Sequence, residues 1–275
     1  MRDLSIAKKL TLLGIGVTVL LGLMVAMVAL QSHSILNDQV NTLGMEMIAN
    51  NANQVDQYFS QLKTLTLGIA SGTAELLETG QAVTDDDLES VMARYFKASA
   101  KELNVLEMYV GLESTGKVGT GGDWVEKPDY DARKRPWYIQ AVQEDKVILT
   151  APYVDANTGG LVITVATPVK STSGKLLGVA GIDVDLKTLS DMITSYKVFG
   201  KGYGFLLDRE GNMICHPKSE MIMKENITKP SGLITPELAE AGRKMISGSP
   251  GFVDYSFQGE LRRTFFSPTR SGFVL

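Results

Sequence analysis

Between Tyr130 and Asp183 the chain gathers a forked cation, two carboxylates and several hydroxylated aromatics. It reads Tyr130-Asp131-Ala132-Arg133-Lys134-Arg135-Pro136-Trp137-Tyr138, then Tyr153-Val154-Asp155, then Gly181-Ile182-Asp183. Arg135 has N–H donors and no acceptor, so it suits a planar carboxylate and cannot serve an ammonium. Ionised Asp155 and Asp183 only accept; they suit an ammonium and repel a carboxylate. An α-amino acid presents those two groups one carbon apart, and aromatic side chains would supply walls and hydroxyl hydrogen bonds. One arginine against two aspartates leaves a pocket short of positive charge, which favours a zwitterionic head and disfavours an acidic side chain such as that of glutamate.

Each of these residues also has a structural reading. Trp137 and Tyr138 could form one face of a helix packed in the core. Arg135 could pair with Asp131 or Asp129 at the surface, where such pairs contribute little. Asp183, at the end of a strand, could cap the helix that follows at Leu186. Arg133 and Lys134 read as solvent-facing neighbours.

Spacing narrows the choice. Arg135-x-Trp137-Tyr138 with Tyr130 five positions upstream, Tyr153-x-Asp155 on the next strand and Asp183 near the end of a hairpin together resemble the amino-acid-binding motif of double Cache sensor domains (dCache_1). Those domains form the extracytoplasmic part of methyl-accepting chemotaxis proteins. The resemblance implies that Arg135, Trp137 and Tyr138 hold a ligand carboxylate, while Tyr153, Asp155 and Asp183 surround its ammonium. It also implies an α+β fold: an N-terminal transmembrane helix, a long helix, then two PAS-like antiparallel-sheet modules in tandem.

The elements that must carry this site follow along the chain. Residues 10–30 are apolar apart from Thr11 and Thr18, and about twenty residues at 1.5 Å rise cross a bilayer core of roughly 30 Å. Arg2, Lys8 and Lys9 precede that run, and the next Lys or Arg is Lys63. The positive-inside rule therefore puts residues 1–9 in the cytoplasm and those after about 31 outside the cell (inner) membrane, in the periplasm or extracellular space. A cleaved signal peptide would have a shorter apolar core and a small-x-small exit, which residues 28–32 do not offer. Ile48, Val55, Leu62, Ile69 and Leu76 fall seven apart, with Ala52, Phe59, Thr66 and Thr73 between them. This is a heptad stripe on a long helix over 31–80, read either as packing on its own domain or as a homodimer seam.

Beyond it, Thr84 and Asp87 form a capping-box pattern for a helix through Val91, Tyr95 and Phe96. Strands are expected over 105–112, 147–150, 161–169 and 176–184, with a turn at 119–122 and a short helix from Pro136. The first module spans 81–199 and is the membrane-distal, ligand-binding one. A helix over 186–196 leads to a membrane-proximal module at 200–275, with strands over 203–207, 213–216, 251–257 and 262–267 and a helix over 236–246. The chain stops as another strand starts at Phe273, so the second module reads as truncated. A second membrane helix, a HAMP linker and a cytoplasmic signalling coiled coil would follow in a receptor of this kind, and cytoplasmic signalling partners would act only through that missing part.

Other function classes fare poorly. A net charge of −4 gives no general attraction for nucleic acid. Cys215 is the only cysteine and His33 and His216 the only histidines, which leaves neither a CxxC framework nor a histidine-based metal cluster or triad in the first module. No cofactor and no enzymatic activity is expected. The sequence reads as the ligand-sensing part of a chemoreceptor for an L-amino acid; the same sensor could also front a histidine kinase or diguanylate cyclase, or take amines or other small molecules.

Overall fold

The computed structural model describes residues 5–80, 85–122, 124–257 and 259–275. They divide into two compact units, Met1–Met47 and Ile48–Leu275. Helix α1 (Ile6–Thr79) runs through both, and the capping-box residue Thr84 lies outside the described residues.

In the first unit α1 is apolar over residues 10–30 and exposed as far as residue 40. Its most apolar 18-residue window has a mean hydropathy of 2.5, none of it buried, so it is long and apolar enough to cross a membrane. The hydroxyls of Thr11 and Thr18 donate to the carbonyls of Ala7 (3.0 Å) and Gly14 (2.9 Å). The two polar side chains in the apolar run are thereby satisfied within the helix.

In the second unit the heptad stripe faces its own domain. Ile48, Ala52, Val55, Phe59, Leu62, Thr66, Ile69 and Thr73 are buried, and Leu76 is half-buried. Two carboxylates pin this part of α1 to both modules. Asp56 accepts from the backbone N–H groups of Arg270 (2.8 Å) and Ser271 (2.9 Å), and Glu78 accepts from the Thr172 N–H and hydroxyl (2.9 Å each).

The first module is an antiparallel sheet of β1 (Glu107–Leu112), β2 (Val118–Thr120), β3 (Ile148–Leu149), β4 (Tyr153–Val154), β5 (Leu161–Lys170) and β6 (Leu176–Asp185). The order is β2-β1-β6-β5-β3, with β4 also on β5. The β5–β6 hairpin, with a β-branched run from Val162 to Val165, holds the middle. Helix α2 (Asp85–Leu103) lies on β1 and β2, and α3 (Pro136–Glu144) on β5 and β6.

The turn expected over 119–122 is half strand: Gly119 and Thr120 belong to β2, Gly119 lying opposite Val110, and the chain bends only at Gly121 and Gly122. A Cβ at Gly119 would come within 2.8 Å of Leu88, and one at Gly121 within 2.7 Å of the Met92 carbonyl. These glycines let α2 approach the sheet rather than reverse the chain.

Helix α4 (Leu186–Thr194) connects to the second module, where β7 (Leu206–Asp208) and β8 (Met213–Cys215) form a hairpin. Helix α5 (Pro236–Met245) packs on β9 (Gly251–Phe257), which pairs with β10 (Glu260–Phe266). Strand β11 (Phe273–Val274) pairs with β7. Ser267 and Leu275 exchange backbone hydrogen bonds of 3.0 and 3.1 Å, joining β10 to this sheet. The α+β expectation, helix first and two antiparallel modules after, is met. Cys215 is a buried side chain whose thiol burial pushes up to about 12.

Candidate functional site

The sheet's register builds the floor of a cavity in the first module. Glu107 of β1 and Thr164 of β5 both lie opposite Asp183 of β6, and Tyr109 lies opposite Gly181. A Cβ at Gly181 would come within 2.5 Å of the Tyr109 ring. The bare glycine lets that ring cross β6, and its hydroxyl donates to Asp183 Oδ1 at 2.7 Å. Thr164 donates to the same oxygen at 2.5 Å. Its single proton is thereby used, so the 2.7 Å contact between the Tyr153 and Thr164 hydroxyls has Tyr153 as donor.

The walls come from two loops and a helix start. Arg135 precedes α3, whose first position is Pro136 and whose first turn carries Trp137. The Arg135 guanidinium donates to the Val154 carbonyl (2.9 Å) and lies 6.0 Å from the Tyr130 ring centroid and 5.7 Å from that of Tyr153. It makes no salt bridge among the described residues; Asp131 instead pairs with Arg133 (2.9 Å) and Lys134 (3.7 Å), both exposed. Trp137 stacks edgewise on Tyr109 (4.9 Å), and Trp124 on Tyr130 (4.8 Å). Asp155 opens the β4–β5 turn, where its Oδ2 accepts from the Thr158 N–H (2.7 Å) and hydroxyl (2.8 Å).

Six of the seven residues singled out in the sequence, Tyr130, Arg135, Trp137, Tyr153, Asp155 and Asp183, line this one cavity of about 380 Å³, mouth included. Tyr138 does not. Its hydroxyl donates to Glu113 Oε2 at 2.6 Å, because successive helical residues point about 100° apart and α3 sends only Trp137 to the cavity. Asp183 is not a helix cap either: Asp185 caps α4, accepting from the Thr188 N–H at 3.2 Å. Glu107, Tyr109, Trp124 and Asn157 also line the cavity and were not singled out. The first two are assigned only by the pairing of β1 with β6.

The cavity carries three carboxylates and one guanidinium among its described lining residues. Burial pushes Asp183 up to about 7; the Thr164 and Tyr109 hydrogen bonds pull it back, while the charges of Asp155 and Glu107 add to the rise. Glu107 is raised too, chiefly by burial, although its carboxylate accepts from the Met108 (3.0 Å) and Gly122 (2.7 Å) N–H groups. A cation entering beside Asp183 and Glu107 relieves both, and an anion fits only against Arg135.

A family model described as Cache domain (dCache_1) matches residues 30–275. The chain belongs to the Cache domain family. This Cache chain is 31% identical over 224 residues to the methyl-accepting chemotaxis protein PscA of Pseudomonas syringae pv. tomato, covering 76% of this chain and 35% of that protein. It is 36% identical over 162 residues to McpA, a methyl-accepting chemotaxis protein of Pseudomonas putida, covering 56% of this chain and 24% of that protein. It therefore spans a minor part of the length of either relative. Its fold is that of solved chemoreceptor domains. The ligand-binding domain of Pseudomonas fluorescens CtaA in complex with L-isoleucine superposes with a TM-score of 0.67 at 26% identity, over 89% of this chain and 93% of that one. That of the Pseudomonas aeruginosa amino acid chemoreceptor PctC in complex with GABA gives 0.61 at 26% identity, over 84% and 94%.

Proposed function

We propose that this chain is the extracytoplasmic sensor portion of a bacterial chemoreceptor, and that its first module binds the zwitterionic head of an L-amino acid. The observation that carries this reading is the polarity of the cavity. Arg135 stands on one side, without a carboxylate partner among the described residues, and Asp183 lies on the floor with Oδ1 already holding two hydroxyl donors. A ligand carboxylate would face Arg135, and its ammonium would face Asp183 with Asp155 and Glu107 nearby. Tyr130, Tyr153 and Trp137 would wall the α-carbon.

Chemoreceptor relatives and chemoreceptor domains solved with isoleucine and GABA support the reading from outside the chain. Within it, residues 10–30 would anchor the protein in the inner membrane, 81–199 would be the membrane-distal module and 200–275 the membrane-proximal one. The output would be chemotaxis signalling through parts of the receptor that follow this segment.

Calorimetric titration of the purified chain with the common L-amino acids tests the proposal. Saturable binding of at least one, with Kd between about 1 µM and 1 mM, is expected. No heat and no thermal stabilisation from any of them would sink it.

A further inference from the structure

The second module holds a cavity of its own, of about 410 Å³, mouth included, with the opposite electrostatic character. Its body is apolar, formed by Met221, Leu238 and Phe205 among others, and Phe257 stands at one wall. The two nitrogenous side chains in the lining are His216 and Lys218, and among the described residues no carboxylate lines it. The first module's cavity, by contrast, carries three.

The polar groups are set for an anion. His216 Nδ1 accepts the Lys218 backbone N–H at 3.0 Å, so the neutral ring carries its proton on Nε2 and can only donate there. The Lys218 ammonium lies 5.9 Å from the Phe257 ring centroid and forms no salt bridge among the described residues. The Arg262 guanidinium lies 5.0 Å from the same ring, its one described ion pair being with exposed Glu260 at 3.2 Å. Two cations and one N–H donor thus flank an apolar chamber that has no acceptor charge for an ammonium.

We propose that this cavity binds a small monocarboxylate with an aromatic or branched aliphatic body, its carboxylate held by Lys218 and His216 and its body among Met221, Leu238 and Phe205. An amino acid is a poor occupant, because its ammonium would be desolvated beside two cations with only the Tyr203 and Tyr255 hydroxyls, and no carboxylate, in the described lining to receive it. The chain would then carry two sites that sort small molecules by whether the carbon next to the carboxylate bears an ammonium.

The test is calorimetric titration of the purified chain with benzoate, phenylacetate and 3-methylbutanoate, beside phenylalanine and leucine. Wild type, Asp183→Asn, Lys218→Met and Leu238→Trp would be compared. At least one carboxylate is expected to bind with Kd of about 10 µM to 1 mM, equally well in Asp183→Asn. Lys218→Met should weaken it about tenfold or more, and Leu238→Trp, which fills the chamber, should abolish it. Lys218 is only half-buried, so its substitution reads out binding even where the tryptophan variant fails to fold. No heat from any carboxylate, heat that disappears in Asp183→Asn, or heat unchanged in Lys218→Met would each overturn the proposal. Amino-acid binding in the first module stands or falls separately, on the Asp183→Asn arm with phenylalanine and leucine.

Discussion

The Tyr109 hydroxyl reaches Asp183 from the neighbouring strand and donates to its Oδ1 at 2.7 Å. With Thr164 donating to the same oxygen, the buried carboxylate has partners on one oxygen and an acceptor left for whatever enters the cavity. Two hydroxyls do not fully replace water around a buried charge, so burial pushes the Asp183 carboxyl up to about 7 despite them.

Amino-acid binding should therefore be linked to a proton. Burial pushes Asp183 up to about 7, and an ammonium beside it would lower that value. Binding at pH 7 should release roughly half a proton per ligand, and below pH 7 the apparent Kd should rise by about tenfold per pH unit. Titrations in buffers of different ionisation enthalpy measure the release directly. A binding heat independent of the buffer would mean that the ammonium does not meet Asp183.

The same group shapes stability without ligand. A carboxyl raised from 3.8 to about 7 binds more protons folded than unfolded between those values, so its contribution falls as pH climbs from about 4 to 7. Asp183→Asn should flatten that part of the stability profile while weakening amino-acid binding at least about tenfold. Asp185→Ala, which removes the actual cap of α4, should cost about 1 kcal/mol and leave affinity alone. Melting temperatures over pH 4–7, set beside affinities, separate the two aspartates. A large stability loss in Asp183→Asn at neutral pH would show that its role is structural.

The sequence made one layer of this design legible and hid another. The β5–β6 hairpin announces itself by β-branched alternation around a Gly174 turn, and the seven-residue stripe of α1 by its apolar period. Asp183, Arg135 and Asp155 stand out by charge in apolar or aromatic company. Tyr109 and Asp183 are 74 residues apart, and only the register of β1 on β6 makes them neighbours. Trp124 lies in an irregular segment with no period to betray its direction. Gly119 and Gly121 were legible as glycines but not as landing places for α2, since a turn and a close helix approach ask for the same missing Cβ.

Orientation in the membrane gives a separate expectation. Arg2, Lys8 and Lys9 lie on one side of the apolar run only, so both modules should face away from the cytoplasm. Alkaline phosphatase fused after Leu77 and after Asp208 should be active at both points. Cytoplasmic reporter activity at either point would reverse the topology and with it the sensing of external ligands.

Tyr138 offers the sharpest division between motif and geometry. The family resemblance assigns it to the ligand carboxylate, yet its hydroxyl donates at 2.6 Å to Glu113 and the side chain does not line the cavity. Glu113 is exposed and can recover its hydration when that donor is lost. Tyr138→Phe should therefore cost only about 0.5–1.5 kcal/mol of stability, with amino-acid affinity held within about twofold. Trp137→Ala is the contrast, because Trp137 lines the cavity, is buried and stacks on Tyr109 at 4.9 Å. It should lose about 3–5 kcal/mol of stability and bind poorly where it folds. Thermal unfolding and calorimetry of the two variants decide the matter: a tenfold loss of affinity in Tyr138→Phe at unchanged melting temperature would mean that α3 turns on binding and brings the hydroxyl to the ligand.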